Sequence, residues 1–176
     1  MTALPRLPLN AALPASPAFR CTEACRSPEH LQAVVAQFSV ETSARYSARD
    51  GNTYCNIFAW DVTSAMGAEV PHWVNGAGVP SAPGHGVELS ANALMDWLRS
   101  DAALERGWRM ALEADAECAA NLGNPALVLY RNPHGHGHCA VLLGDGRIAQ
   151  AGQRCFSRGD LAVGFGGLPV SYFVHP

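Results

Sequence analysis

PALVLYRNPHGHGHCAVLLGDGRIAQA, running from Pro125 to Ala151, decides the fold. Ala126 to Tyr130 is a short apolar run after a proline, too brief for a helix and bounded like a buried strand. Cys139 to Leu143 is a second run of the same kind. Gly144-Asp145-Gly146 supplies residues that accept turn conformations, so the chain is expected to reverse there into Ile148 to Ala151 as a hairpin. Val170 to Val174 reads as a last strand.

Upstream of Pro125 the period is helical. Ser27-Pro28-Glu29 has the form of an N-cap followed by a first-turn proline, and Leu31, Val34, Val35 and Phe38 follow at the spacing of one buried face. Asp50-Gly51-Asn52 marks a turn. A second helix is expected from about Tyr54 to Met66, closed by Gly67, with Cys55, Phe58, Ala59, Val62 and Met66 on one stripe. Pro71 to Gly86, containing His72, Trp73 and His85, reads as a long surface loop. Ser90 caps a third helix, about Ala91 to Ser100, and a further helical stretch is expected from roughly Trp108 to Asn121. Helices first and consecutive hairpin strands afterwards define an α+β class with an antiparallel sheet.

Composition bounds the function. The chain has 176 residues, 48% hydrophobic and 15% charged, with a net charge of -3. That is too apolar and too sparsely charged for a disordered protein, and no apolar run approaches the roughly 18 residues a spanning helix needs. The weakly acidic balance lacks the basic face of a nucleic-acid binder. All the Lys+Arg content is arginine. The expected organisation is an N-terminal arm, residues 1–26, and one domain, residues 27–176. The arm is rich in proline, alanine and leucine and has no continuous apolar core, so it does not read as a secretory signal. A meandering surface segment is expected.

Cysteines 21, 25, 55, 118, 139 and 155 show no zinc-ribbon spacing. Cys21 and Cys25 are close enough to pair locally. Cys55 opens a helix, where the positive end of the dipole favours the thiolate, the nucleophilic form. The same apolar stripe is equally the position of an ordinary core cysteine. In Asn132-Pro133-His134-Gly135-His136-Gly137-His138 three histidines alternate with glycine. Such a tract can chelate a metal, yet a defined site wants ligands on rigid elements. His138 begins a strand and is therefore held firmly, as a general base for a cysteine must be. Gln150, in the returning strand of the hairpin, pairs back towards Ala140 and His138, where its amide oxygen is expected to accept from the imidazole N–H. Asp61, two turns along from Cys55, is a weaker rival for that role.

A cysteine at a helix start, a histidine opening a Gly-His-Cys-Ala-Val-Leu-Leu strand and a polar residue in the next strand resemble the papain-like peptidoglycan peptidases. These are the NlpC and CHAP types, with type VI secretion amidase effectors and phage endolysins as compact relatives. The resemblance covers about Tyr46 to the C-terminus. It implies a papain-like domain with the nucleophile helix on an antiparallel sheet, Cys55 as nucleophile, His138 as base and Gln150 as orienting residue. Gln150 stands where those families more often carry histidine, asparagine or an acid.

The implied reaction is hydrolysis of an amide in the peptidoglycan stem peptide through a thioacyl-enzyme, with no cofactor and no metal. The Cys55 N–H is the expected oxyanion donor, with Tyr54 and Asn56 as candidate second donors. His72, Trp73 and His136 are candidate substrate-binding residues. Expected partners are the stem peptide and, for an injected effector, a cognate immunity protein; neither nucleic acid nor membrane insertion is expected. Such an enzyme is made in the cytoplasm and acts in the periplasm or cell wall, delivered by a secretion machine or a phage lysis system. Two other readings stand beside it, the first of them using the same three residues. One is a cysteine deamidase or transferase acting on a protein; the other is a metal- or ligand-binding module built on the histidine tract with His72 and Trp73.

Overall fold

The structure is a computed structural model that describes residue 11 and residues 13–176. Helix α1 spans Pro28–Gln37; the Ser27 side chain accepts from the His30 N–H at 3.2 Å, and Leu31, Val34 and Val35 are buried. A tight hairpin follows at Asp50-Gly51, both with positive φ, where Arg49 and Asn52 exchange backbone hydrogen bonds. This is the chemistry of a two-residue turn. It delivers the chain into α2, Cys55–Ala65, whose residues are buried on nearly every side. A helix that is apolar all round belongs in the middle of a core.

Helix α3 is Ala91–Leu98, α4 is Asp101–Leu104, α5 is Glu113–Asn121 and α6 is Leu161–Phe165. Strands β1 (Trp73–Val74) and β2 (Val87–Glu88) form a small antiparallel ribbon. The other strands are β3 (Arg109–Ala111), β4 (Ala126–Tyr130), β5 (His138–Gly144), β6 (Arg147–Gln150), β7 (Phe156–Asp160) and β8 (Val170–Val174). They make one six-stranded sheet in the order β3-β8-β4-β5-β6-β7, antiparallel at every pairing.

Both faces of the sheet are covered, because successive side chains of a strand point to opposite sides. Leu127, Leu129, Cys139, Val141, Leu143 and Ala149 face the helices α1, α2 and α3. Val128, Ala140, Leu142 and Ile148 face Ala116 and Ala120 of α5 and Phe165 of α6. The α+β class with an antiparallel sheet is therefore as expected, and the Cys55 helix packs on β5. Among the described residues, no helix is long and apolar enough to cross a membrane.

Three expectations are corrected. Arg109–Ala111 is not helical: it completes the sheet on the open edge of β8, pairing Arg109 with Val174, and only Glu113–Asn121 is helix. Backbone pairing with a distant edge has overridden the local pattern. The segment Pro71 to Gly86 is not a surface loop throughout, because His72 and Trp73 are buried beneath it. The described part of the arm is not merely superficial. Ala11 and Cys21 are fully buried, the Cys21 N–H donates to the Ala65 carbonyl at 2.8 Å, and Cys21 is joined to Cys25 by a disulfide.

Candidate active site

Cys55 is the first residue of α2 and is 3% exposed. First-turn N–H groups of a helix lack intrahelical acceptors, so partial positive charge gathers around its side chain. The Cys139 thiol, the His138 imidazole and the Cys139 backbone N–H all lie close enough to its sulfur to stabilise negative charge there. These donors, the Cys139 thiol foremost, hold the Cys55 thiol well below the ordinary thiol range; burial alone would raise it. Cys139 moves the other way, pushed well above that range by its bond to Cys55 and by burial. It stays a protonated donor.

His138 begins β5, with Tyr130 of β4 as its register partner. Its ring packs against Phe165 with centroids 5.0 Å apart. Gln150 settles the tautomer. Its Nε2 donates to the Arg154 carbonyl at 3.0 Å, which turns Oε1 towards His138 Nε2 at 2.8 Å. An amide oxygen only accepts, so His138 carries a proton on Nε2 and leaves Nδ1 for Cys55. Burial alone would lower the His138 pKa, but the hydrogen bond and charge of Cys55, assisted by Gln150, raise it above the ordinary histidine value. The site therefore favours a thiolate beside an imidazolium.

Gln150 is 4% exposed and closely covered. A Cβ on Gly164 of α6 would lie 2.6 Å from Gln150 Oε1, so the bare glycine lets that helix lie close over the amide. The histidine tract is clamped from α3. Asn92 Nδ2 donates to the carbonyls of Asn132 at 2.9 Å and Gly135 at 3.0 Å, while its Oδ1 accepts from the Asn132 N–H. Gly137 is confined as well, since a Cβ there would lie 2.6 Å from the Tyr130 carbonyl.

A cavity of about 550 Å³ opens over Cys55, lined among others by Asn52, Tyr54, Asn56, Glu88, His136 and Gln153. A second, of about 330 Å³, lies over His138 and Gln150 and shares Thr53 and Gln153 with the first. Cys55, His138 and Gln150 are thus brought together, and Tyr54, Asn56 and His136 line the groove. Three roles need correcting. The Asn56 amide is engaged by the Leu89 carbonyl at 2.6 Å and is not a ready oxyanion donor. His72 and Trp73, 1% and 5% exposed, lie behind the groove and not on it. Asp61 is committed to Arg45 and to the Tyr46 hydroxyl, so it is no partner for His138.

Cys139, Asn92, Glu88 and Gln153 escaped sequence reasoning. Cys139 carried a readable signal, adjacency to His138 on a strand, but alternation sends neighbouring side chains to opposite faces and disguised it. Among the described residues, donors suited to a metal gather at Cys21, Cys25 and His30, where both sulfurs are already joined to each other. His134 and His136 are exposed and form no such group. No known family model matches the chain, and no curated protein is significantly similar to it.

Proposed function

We propose that this protein is a papain-like cysteine peptidase or amidase that hydrolyses an amide bond in the peptide stem of bacterial peptidoglycan. The observation that carries the reading is the succession from Cys55 to His138 to Gln150, with Cys55 lining one open cavity and His138 and Gln150 the cavity adjoining it. That succession supports a nucleophile, a base and an orienting group acting together in covalent catalysis.

On this reading the Cys55 thiolate attacks the carbonyl carbon, and the carbonyl oxygen takes up negative charge beside the first-turn N–H groups of α2. Collapse of the intermediate expels the amine, which takes the proton from His138 Nδ1, leaving a thioester on Cys55. Neutral His138 then removes a proton from water, which attacks the thioester. Collapse of that intermediate releases the acid and regenerates the ion pair. Gln150 keeps Nδ1 directed at the sulfur throughout.

The test is release of stem-peptide fragments from purified peptidoglycan. Cys55→Ser is expected to reduce it by on the order of 10³-fold or more, and His138→Ala nearly as much, with the double variant no worse because the two act as a unit. Full activity in Cys55→Ser refutes the proposal. If purified proteins are deamidated or cross-linked while peptidoglycan stays intact, the substrate is a protein. In the cell, fusing an export signal is expected to cause lysis while cytoplasmic expression is tolerated. A cognate immunity protein, if the enzyme is an injected effector, would seat over the Cys55 groove.

A further inference from the structure

Glu88 is the carboxylate among the residues lining the Cys55 cavity. It closes the β1–β2 ribbon opposite Trp73, and its side chain is 36% exposed. Behind it stands His72, whose Nε2 lies 2.9 Å from Glu88 Oε1. The His72 ring is 1% exposed, stacked on Trp60 at 5.1 Å between centroids and set edge-on to Trp73. Such enclosure fixes the ring, and with it the position of the carboxylate.

Hydrogen bonds orient the ring from both sides. The Leu89 carbonyl accepts from Asn56 at 2.6 Å, which identifies that atom as the amide nitrogen, Nδ2. Asn56 Nδ2 also lies 3.5 Å from His72 Nδ1, and on the other side of the ring His72 Nε2 donates to the Glu88 carboxylate. A carboxylate is thus held from behind at the wall of a groove whose other charge-bearing side chains are Cys55 and His136.

We infer that Glu88 is a recognition site for an ammonium group on the substrate, held beside the scissile bond. The inference rests on the peptidase reading for what occupies the groove. Within a stem peptide two ammonium groups are available: the N-terminal α-amine and the side-chain amine of a diamino acid residue. Either would form a charge-assisted hydrogen bond with the carboxylate. His72 is a positioning residue in this arrangement.

Titration calorimetry on Cys55→Ala protein tests it with three synthetic stem tripeptides: one with both amines free, one acetylated at the N-terminus and one acetylated at the side-chain amine. One acetylation is expected to weaken binding tenfold or more, and that one names the ammonium source. In Cys55→Ala protein that also carries Glu88→Gln, the same acetylation should change binding less than about threefold. Glutamine still accepts from His72, so the change removes charge and leaves the ribbon intact. Equal binding of all three peptides, absence of binding, or a tenfold loss that survives Glu88→Gln overturns the inference. Cleavage is not read in this assay. Amine-selective binding in a protein whose unsubstituted form releases no fragments refutes the peptidase reading and leaves the role of Glu88 standing.

Discussion

Replacing Gln150 with alanine separates an orienting role from a merely structural one. The substitution removes the 2.8 Å acceptor from His138 Nε2 and the 3.0 Å donor to the Arg154 carbonyl. A hydrogen bond to a charged group contributes roughly 1.5–3 kcal/mol, so the imidazolium form loses about that much support. At about 1.4 kcal/mol per decade, kcat/KM should fall about 10- to 150-fold. The pH profile carries the sign. Gln150 is one of the groups that raise the His138 pKa, so its loss lowers that pKa and shifts the alkaline limb to lower pH. A weaker imidazolium partner also lets the Cys55 pKa rise, shifting the acid limb to higher pH. The bell narrows from both sides. Fragment release measured from pH 5 to 9 checks the rate, and the pH dependence of Cys55 alkylation by iodoacetamide checks the thiol independently. A variant with an unchanged profile, or one whose whole loss of activity follows its loss of folded protein, would refute the role assigned to Gln150.

Cys139→Ala removes the foremost donor to the Cys55 sulfur. Its alkylation profile should move to higher pH, and activity at pH 6 should fall several-fold more than at pH 8. Asp61→Ala leaves the half-buried Arg45 guanidinium and the buried Tyr46 hydroxyl without their carboxylate. Breaking such a pair costs about 3–5 kcal/mol, expected as a drop in Tm of about 10 °C in calorimetry with little change in activity per folded molecule. His134→Ala and His136→Ala should be mild, and a chelator should leave fragment release unchanged. Abolition by chelator alone would transfer the chemistry from Cys55 to a metal.

Much of the site was legible because its determinants are local or periodic. Ser27 and Ser90 act as caps, Asp145-Gly146 turns the hairpin, and Cys55 opens its helix, each through chemistry confined to a few neighbouring residues. Gln150 could be set beside His138 because strand period and turn position together fix which residues meet across a hairpin. Other features rest on contacts between segments far apart in the chain, where no period carries information. Arg109–Ala111 became a strand because β8 offered an unpaired edge. His72 and Trp73 went inside because Trp60 and the second ribbon strand close over them. Cys139 meets Cys55 because α2 lies across β5, a packing choice that alternation along one strand does not specify. The sequence by itself determined most of the elements with their caps and turns, and that Cys55, His138 and Gln150 could come together. Only the tertiary structure decided which thiol donates to Cys55, which carboxylate faces the groove and which is locked to Arg45, because charge and burial are properties of what surrounds a residue in space.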